Sequence, residues 1–489
     1  MATSSTLENR VGLAYWMERV LGLCSEAETN FSVQSVHDLR TALRRSRSLA
    51  EGIQFFDPDP AWKKMRRAAK SVFGSLGELR DTQVMLEWVE KFAPEGELTR
   101  KNLAQFLLNR EREAKKSAAA ALGQFNRKQW KTWAEKLPVR AARIPLNGRV
   151  FAHLALERWL AARSSHARAL RNRTHVAFHD VRKALKRFRY TVENFLPQLD
   201  QEWGKDLKEV QDILGELHDL HVLWQTAVAI HAFPDASERD RWRKHLDQEQ
   251  SSRIRAYREK MVGKNTVWQV WRAGLPEEIE CRALGLERLR IWSSFLDPKL
   301  NHSRRVAHLA LQLFDGLPSD ELGIRLGPER DTQRWILRAA ALMHEVGRAK
   351  ANRGHHKMSA RLLDKLEAPL GWTRDELHIA ALAVRYHRGA LPRETQKGFA
   401  ALSRSKQRVV QFLGGILRLA CACDATVANR VRAIAVEAFD PVITLRADGY
   451  VESTQLAEHI AAARHLLELT LHRPVFVLAT GEKAQAHAA

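Results

Sequence analysis

The sequence predicts a mainly α chain: a duplicated helical bundle, followed by a second all-helical domain with a small β element near its C-terminal end. Three observations carry this. The 489 residues include only 25 glycines and 15 prolines, fewer than the roughly 12% usual for the pair. Apolar residues recur every three to four positions, as in VGLAYWMERVLGL around Tyr15, the period of a helix with one buried face. Two motifs also recur in the same order: HDLRTALRRSR from His37 and HDVRKALKRFR from His179, then SLGELRDTQV from Ser75 and ILGELHDLHV from Ile213.

The first motif repeats after 142 residues (37 to 179) and the second after 138 (75 to 213). Such order and spacing predict one helical unit present twice, reaching to about Trp271. Between the copies, LPVRAARIPLNGR (Leu137–Arg149) has two prolines and little periodicity, so it reads as a connection between helical blocks. AGLPEEIE (Ala273–Glu280) opens a change of character. Further on, DPVITLRADGYVEST (Asp440–Thr454) alternates β-branched residues with others and carries Asp448-Gly449, a hairpin-type turn; VFVLA (Val475–Ala479) reads as another short strand. The expected domains are 8–272, with halves of about 8–136 and 150–272, and 282–480.

Lys and Arg number 79 against 57 Asp and Glu, a net charge of +22. That surplus points to a polyanionic partner: nucleic acid, an anionic surface or an inorganic polyanion. Hydrophobic residues make up 45% of the chain, enough to bury a core and to argue against wholesale disorder. Four scattered cysteines do not make a disulfide framework. MATSSTLENR lacks the charged-then-apolar pattern of a leader, and no apolar run approaches membrane-spanning length. The expected location is the cytoplasm.

On a helix, His37, Arg40, Arg44 and Arg47 fall within roughly 80° of one another, in a stripe about 15 Å long. Val36, Leu39, Leu43, Ser46 and Ala50 form the adjoining core face. The second copy places His179, Arg182, Lys186 and Arg189 on the stripe, beside Tyr190, with Phe178, Val181, Leu185 and Phe188 on the core face. Leu160–Tyr190 holds nine Lys/Arg and one acid, Asp180. A solvated helix face normally mixes signs, because like charges one turn apart repel. These stripes hold nearly one sign, twice, in one register. Arg clusters favour phosphate oxygens, whereas nucleic-acid readers add stacking aromatics. Tyr190 is the one aromatic on the stripes. Trp130 and Trp133 lie near Arg127, Lys128 and Lys131 at a spacing equally suited to a core. A chain of phosphates without bases fits best, with histidines making affinity pH-dependent.

The doubled H-x-x-R-x-x-x-[RK]-R-x-R, with Arg189-Tyr190 closing the second copy and L-G-E-L-[RH]-D downstream, resembles the CHAD family over residues 8–272. The resemblance implies an all-helical domain of two related halves around a basic tunnel that binds inorganic polyphosphate. His37, Arg40, Arg44, Arg45 and Arg47 would line one wall, and His179, Arg182, Lys186, Arg187, Arg189 and Tyr190 the other. Arg67, Lys70 and Arg80, then Lys205, Lys208 and His218, would come from the LGEL-region helices.

A second constellation carries seven histidines between His302 and His387, a region able to hold metal through neutral imidazole. Its strings ALMHEVGRA, GHHKMSARLL, AVRYHRG and RLACACDA resemble the HD-type C-terminal domain of exopolyphosphatase and guanosine-pentaphosphatase proteins, from 282 to 480. Metal-dependent HD phosphohydrolases carry a first His, a His-Asp pair and a late Asp. Here His302 stands first, the pair is His344-Glu345, and Cys421 occupies the late position with Asp424 one turn on. His302, His344, Glu345, His356 and Asp424 are the candidate metal ligands; zinc would tolerate His302, His344 and Cys421. The enzyme family's actin-like ATPase-type half, with its Gly-rich phosphate loops, has no counterpart here. The leading expectation is a polyphosphate-binding protein with a non-catalytic accessory domain, located in the cytoplasm and at polyphosphate granules. It requires no cofactor, leaves a divalent metal as an option in the accessory domain, and has no membrane partner. The alternatives are a metal-dependent phosphohydrolase and a nucleic-acid-binding protein.

Overall fold

The computed structural model describes residues 12–145, 148–317, 328–424, 431–439, 441–452 and 455–480. The N-terminal stretch MATSSTLENR and residues 146–147 of the expected connection lie outside them. The chain divides into two compact units, Met1–Glu280 and Cys281–Ala489.

The first unit is helical and visibly doubled. Helices α1 (Leu13–Asn30), α2 (Val33–Ile53), α3 (Pro60–Phe92), α4 (Leu98–Gly123) and α5 (Arg127–Ala141) are followed by α6 (Arg149–Asn172), α7 (His175–Phe195), α8 (Pro197–Ala229), α9 (Ala236–Met261) and α10 (Val267–Ala273). Helices α2 and α7 both have 21 residues, α3 and α8 both 33, and α4 and α9 both 26. The copies even break alike. Phe31 and Arg173 take left-handed φ of 46° and 52° and end α1 and α6. Ser32 and Thr174 then cap α2 and α7, accepting from Ser35 N and Ala177 N. Each cap satisfies an amide that the first turn leaves free.

The connecting segment differs from expectation. Helix α5 runs through Leu137 and Pro138 to Ala141. Proline fixes φ near the helical value and here interrupts the ladder only in the helix's last turns. Leu137 is buried, and Arg140 reaches back to grip buried Asp57 through Nε and Nη2, both at 2.7 Å. Packing and this ion pair hold a helix where composition predicts a linker.

The core face of α2 is as expected: Val36, Leu39, Leu43, Ser46 and Ala50 are all fully buried. On α7, Val181, Leu185 and Phe188 are buried, while Phe178 is half-buried with its ring edge against Tyr257. Helices α2 and α7 pack on each other. A Cβ at Gly52 would stand 2.3 Å from the Phe195 ring, so the close crossing requires a glycine, despite its cost of about 1 kcal/mol inside a helix.

The second unit contains α11 (Glu278–Ser294, which begins just before the boundary), α12 (Leu300–Gly316), α13 (Pro328–Met343), a 3₁₀ turn (Val346–Ala349), α14 (His355–Leu363), α15 (Arg374–Tyr386), α16 (Lys397–Ala400), α17 (Arg404–Cys423), β1 (Ala433–Phe439), β2 (Val442–Asp448), α18 (Gln455–Leu471) and β3 (Val475–Ala479). Its core is built on Leu313, Phe314, Leu337, Phe412 and Leu413. The β element was expected, but its topology corrects the reading. Asp448-Gly449 makes no hairpin: Gly449 (φ +85°) leads the chain out of β2, and α18 crosses over to β3. Strand β3 lies parallel to β2, with Leu445 opposite Val477. The antiparallel partner is β1, which the sequence reading missed, with Val436 opposite Leu445. Positions 440, 453 and 454 of that segment lie outside the described residues. No described helix is long and apolar enough to cross a membrane.

Candidate functional site

Where α2 meets α7, the two stripes face a common space. The Arg44 guanidinium lies 5.6 Å from the Tyr190 ring centre, across the repeat boundary. Arg40 and Arg47 each hold a guanidinium 4.8 Å over the Phe73 ring of α3. Lys186 is pushed down to about 8, first by burial and then by Arg182, Arg44 and Arg40, with Asp219 opposing. Arg40 is held below the usual arginine range by burial and by Arg44 and Arg80, against the pull of Asp81. Arg40, Arg44 and Arg80 from one repeat thus share a field with Arg182 and Lys186 from the other. Several side-chain nitrogens there have no hydrogen-bond partner among the described residues: Nε of Arg44, Arg47 and Arg182, and Nδ1 of His179. Buried charged groups are normally paired; these four nitrogens are exceptions.

Two residues that the resemblance placed on the tunnel walls do something else. Arg45 binds the Glu193 carboxylate and donates to Asn194 Oδ1 at 3.2 Å. Arg187 Nε stands 3.9 Å from Glu51. The 142-residue offset carries Arg45 to Arg187 and Glu51 to Glu193, so these are one contact made from both sides, as in a two-fold interface. Both contacts run between the repeats. Arg189 reaches the same Glu193 carboxylate from one turn back on its own helix, at 3.8 Å. His37, Arg67, Lys70, Lys205 and Lys208 are exposed, and Arg80 also pairs with Glu87 at 3.2 Å.

The sequence reading missed two histidines. His175 stacks on His221 at 3.6 Å and lies 5.5 Å from His218, which lies 4.8 Å from His179. Burial pushes His175 and His218 down to about 4, helped by His221 and His179 for the first and by Arg182 and His179 for the second. His179 is lowered by burial, Lys183 and Arg182. The strings HVAFH and HDLH place these rings one turn apart on their helices, which was the available signal.

Lys186 provides a test of occupancy. An anion beside it relieves the repulsion and returns its pKa toward the ordinary 10.5. A group whose pKa rises on binding contributes affinity that is complete below its free value and lost as pH climbs toward its bound value. Anion affinity should therefore fall roughly ten- to thirtyfold between about pH 7 and pH 9.5. Lys186→Arg should flatten that decline in a fluorescence titration; an unchanged slope would remove Lys186 from the contact.

In the second unit, a cavity of about 600 Å³ is lined by His302, His344, Glu345, His355, His387 and Cys421, among others. His344 Nδ1 donates to Ala341 O at 2.7 Å and His387 Nδ1 to Val384 O at 2.7 Å. Burial lowers both rings, His344 to about 3, with His302 adding for His344 and His344 for His387. His302 Nδ1 contacts Asp424 Oδ2 at 2.6 Å, and Arg305 grips the same carboxylate at 2.7 and 2.9 Å. Glu345 is bound by Arg348 and stands 3.0 Å from His355 Nε2. Among the described residues, two groups have ligand atoms close enough to share an ion: His302, His344 and Cys421; and His344, Glu345 and His387. His356 and Asp424 belong to neither.

Residues 19–228 match the CHAD domain, and residues 296–427 match the Ppx/GppA phosphatase, domain III. The chain joins a CHAD domain to a Ppx/GppA domain III. The second match stops before β1. A solved CHAD domain from the plant Ricinus communis is 18% identical, covers 54% of this chain and 88% of its own, and superposes with a TM-score of 0.39. No curated protein matches the chain.

Proposed function

We propose that the CHAD unit binds inorganic polyphosphate between the stripes of α2 and α7, with the domain-III unit as a non-hydrolytic companion. One observation carries this reading: buried side-chain nitrogens of Arg44, Arg47, Arg182 and His179, on both repeats, without a hydrogen-bond partner among the described residues. The pairing of the two domains supports a polyphosphate-related role. Phosphate oxygens accept from guanidinium at every position along such a chain. The aromatic rings beside the stripes, Tyr190 of α7 and Phe73 of α3, each already carry a guanidinium, which argues against a stacking platform for bases there.

A phosphohydrolase would need carboxylates free to hold a divalent cation and orient water. Both candidates, Glu345 and Asp424, are engaged by arginine, which favours the non-hydrolytic reading. The test is a competition titration at physiological salt. Long-chain polyphosphate should displace single-stranded DNA of matched charge, and both should weaken with rising salt as counterions are released. Equal or tighter DNA binding would sink the assignment.

A further inference from the structure

In the second unit, the Nε2 atoms of His302 and His344 stand 3.3 Å apart. Two nitrogens each about 2.0–2.1 Å from one tetrahedral cation lie at about that separation. The opposite ring nitrogens tell what these two present. His344 Nδ1 faces the Ala341 carbonyl, which only accepts, so Nδ1 carries the proton and Nε2 a lone pair. His302 Nδ1 faces the Asp424 carboxylate, already gripped by Arg305, so it too carries a proton. In its neutral form His302 then also aims a lone pair at the gap. A direct hydrogen bond there would need a second proton on one ring; a cation needs none.

Cys421 Sγ completes the set, its sulfur and the two histidine nitrogens all lying within 4.8 Å of one another. Two imidazoles and a thiolate suit zinc over magnesium or manganese, which favour oxygen. A carboxylate behind a ligating imidazole is the usual way such a ring is oriented, and Asp424 stands there. An oxygen-ligated centre does not fit, because Glu345 and Asp424 are held by Arg348 and Arg305.

We propose that the domain-III unit holds one zinc-class cation on His302 Nε2, His344 Nε2 and Cys421 Sγ, with Asp424 positioning His302 and the fourth coordination position open to the cavity. On binding, the Cys421 S–H bond breaks, its proton goes to solvent, and the sulfur's electron pair forms the bond to the metal. This site stands independently of the polyphosphate reading.

The test uses the full chain, stripped with chelator and titrated with Co²⁺. One equivalent should produce a near-ultraviolet sulfur-to-cobalt band and the intense visible bands of tetrahedral cobalt, and Zn²⁺ should bleach both. Cys421→Ser should abolish the sulfur band, and His302→Ala should abolish saturable uptake. The conservative Asp424→Asn should weaken uptake roughly 10- to 100-fold, while His308→Ala, on an exposed ring of the same helix, should leave the spectrum unchanged. Folded protein that takes up no cobalt, as expected if His302 is doubly protonated and donates to His344, would overturn the site. So would a spectrum that survives both Cys421→Ser and His302→Ala.

Discussion

Replacing Arg40 and Arg44 together by alanine should weaken polyphosphate binding by roughly 3–6 kcal/mol, taking about 1.5–3 kcal/mol for each lost charged contact. Replacing Arg182 and Lys186 together should cost about the same. The two pairs occupy equivalent positions of the repeat, and Lys186 is lowered by Arg182, Arg44 and Arg40 alike. Loss of binding is separable from loss of fold by the sign of the stability change. A lysine held at about 8 instead of 10.5 costs the folded protein on the order of 3 kcal/mol at neutral pH. Its removal should therefore raise the melting temperature while affinity falls. The measurement is a melt and a binding isotherm on each variant. If only one pair matters, the anion rides a one-sided groove and the two-walled arrangement is wrong. Melting temperatures that fall with affinity would instead give the stripes a structural role.

The second large effect is expected at Gly347. A Cβ there would stand 2.3 Å from His355 O and 2.5 Å from Ser359 N, both backbone atoms. The glycine sits in a tight buried turn: its own N–H donates to Ser359 Oγ at 2.8 Å, and that hydroxyl donates to His344 O at 2.7 Å. Neither neighbour can swing aside as a side chain could, so Gly347→Ala should destabilise the second unit by about 3 kcal/mol or more. Hydrogen exchange over 344–363 should accelerate, while polyphosphate binding by the CHAD unit persists. A variant that exchanges like the parent would show that the turn yields, and with it the rigid placement of His344.

The periodic apolar face of α2, the doubled motif and the one-sign stripes were legible in the sequence because each depends on local spacing along one helix. The end of helix α5, from Leu137 to Ala141, was not, since a packed Leu137 and the grip of Arg140 on Asp57, 83 residues away, override a proline-rich composition. Strand β1 was hidden for a similar reason: its pairing with β2 is a contact that no local pattern announces.

The sequence by itself determined the helical class, the duplication and the surplus of positive charge, all carried by residue type and period. Tertiary structure alone decided which cations stay available. Arg45 and Arg187 share the motif with Arg44 and Lys186, yet a helical step of about 100° turns them toward Glu193 and Glu51 of the opposite repeat. It likewise decided the histidine site. His302, His344 and Cys421 are far apart in the chain, and only the packing of α12, the end of α13 and α17 brings their ligand atoms within 4.8 Å of one another. Charge and spacing act along a helix and can be read there, whereas pairing is settled by whichever acid or ring the fold places opposite.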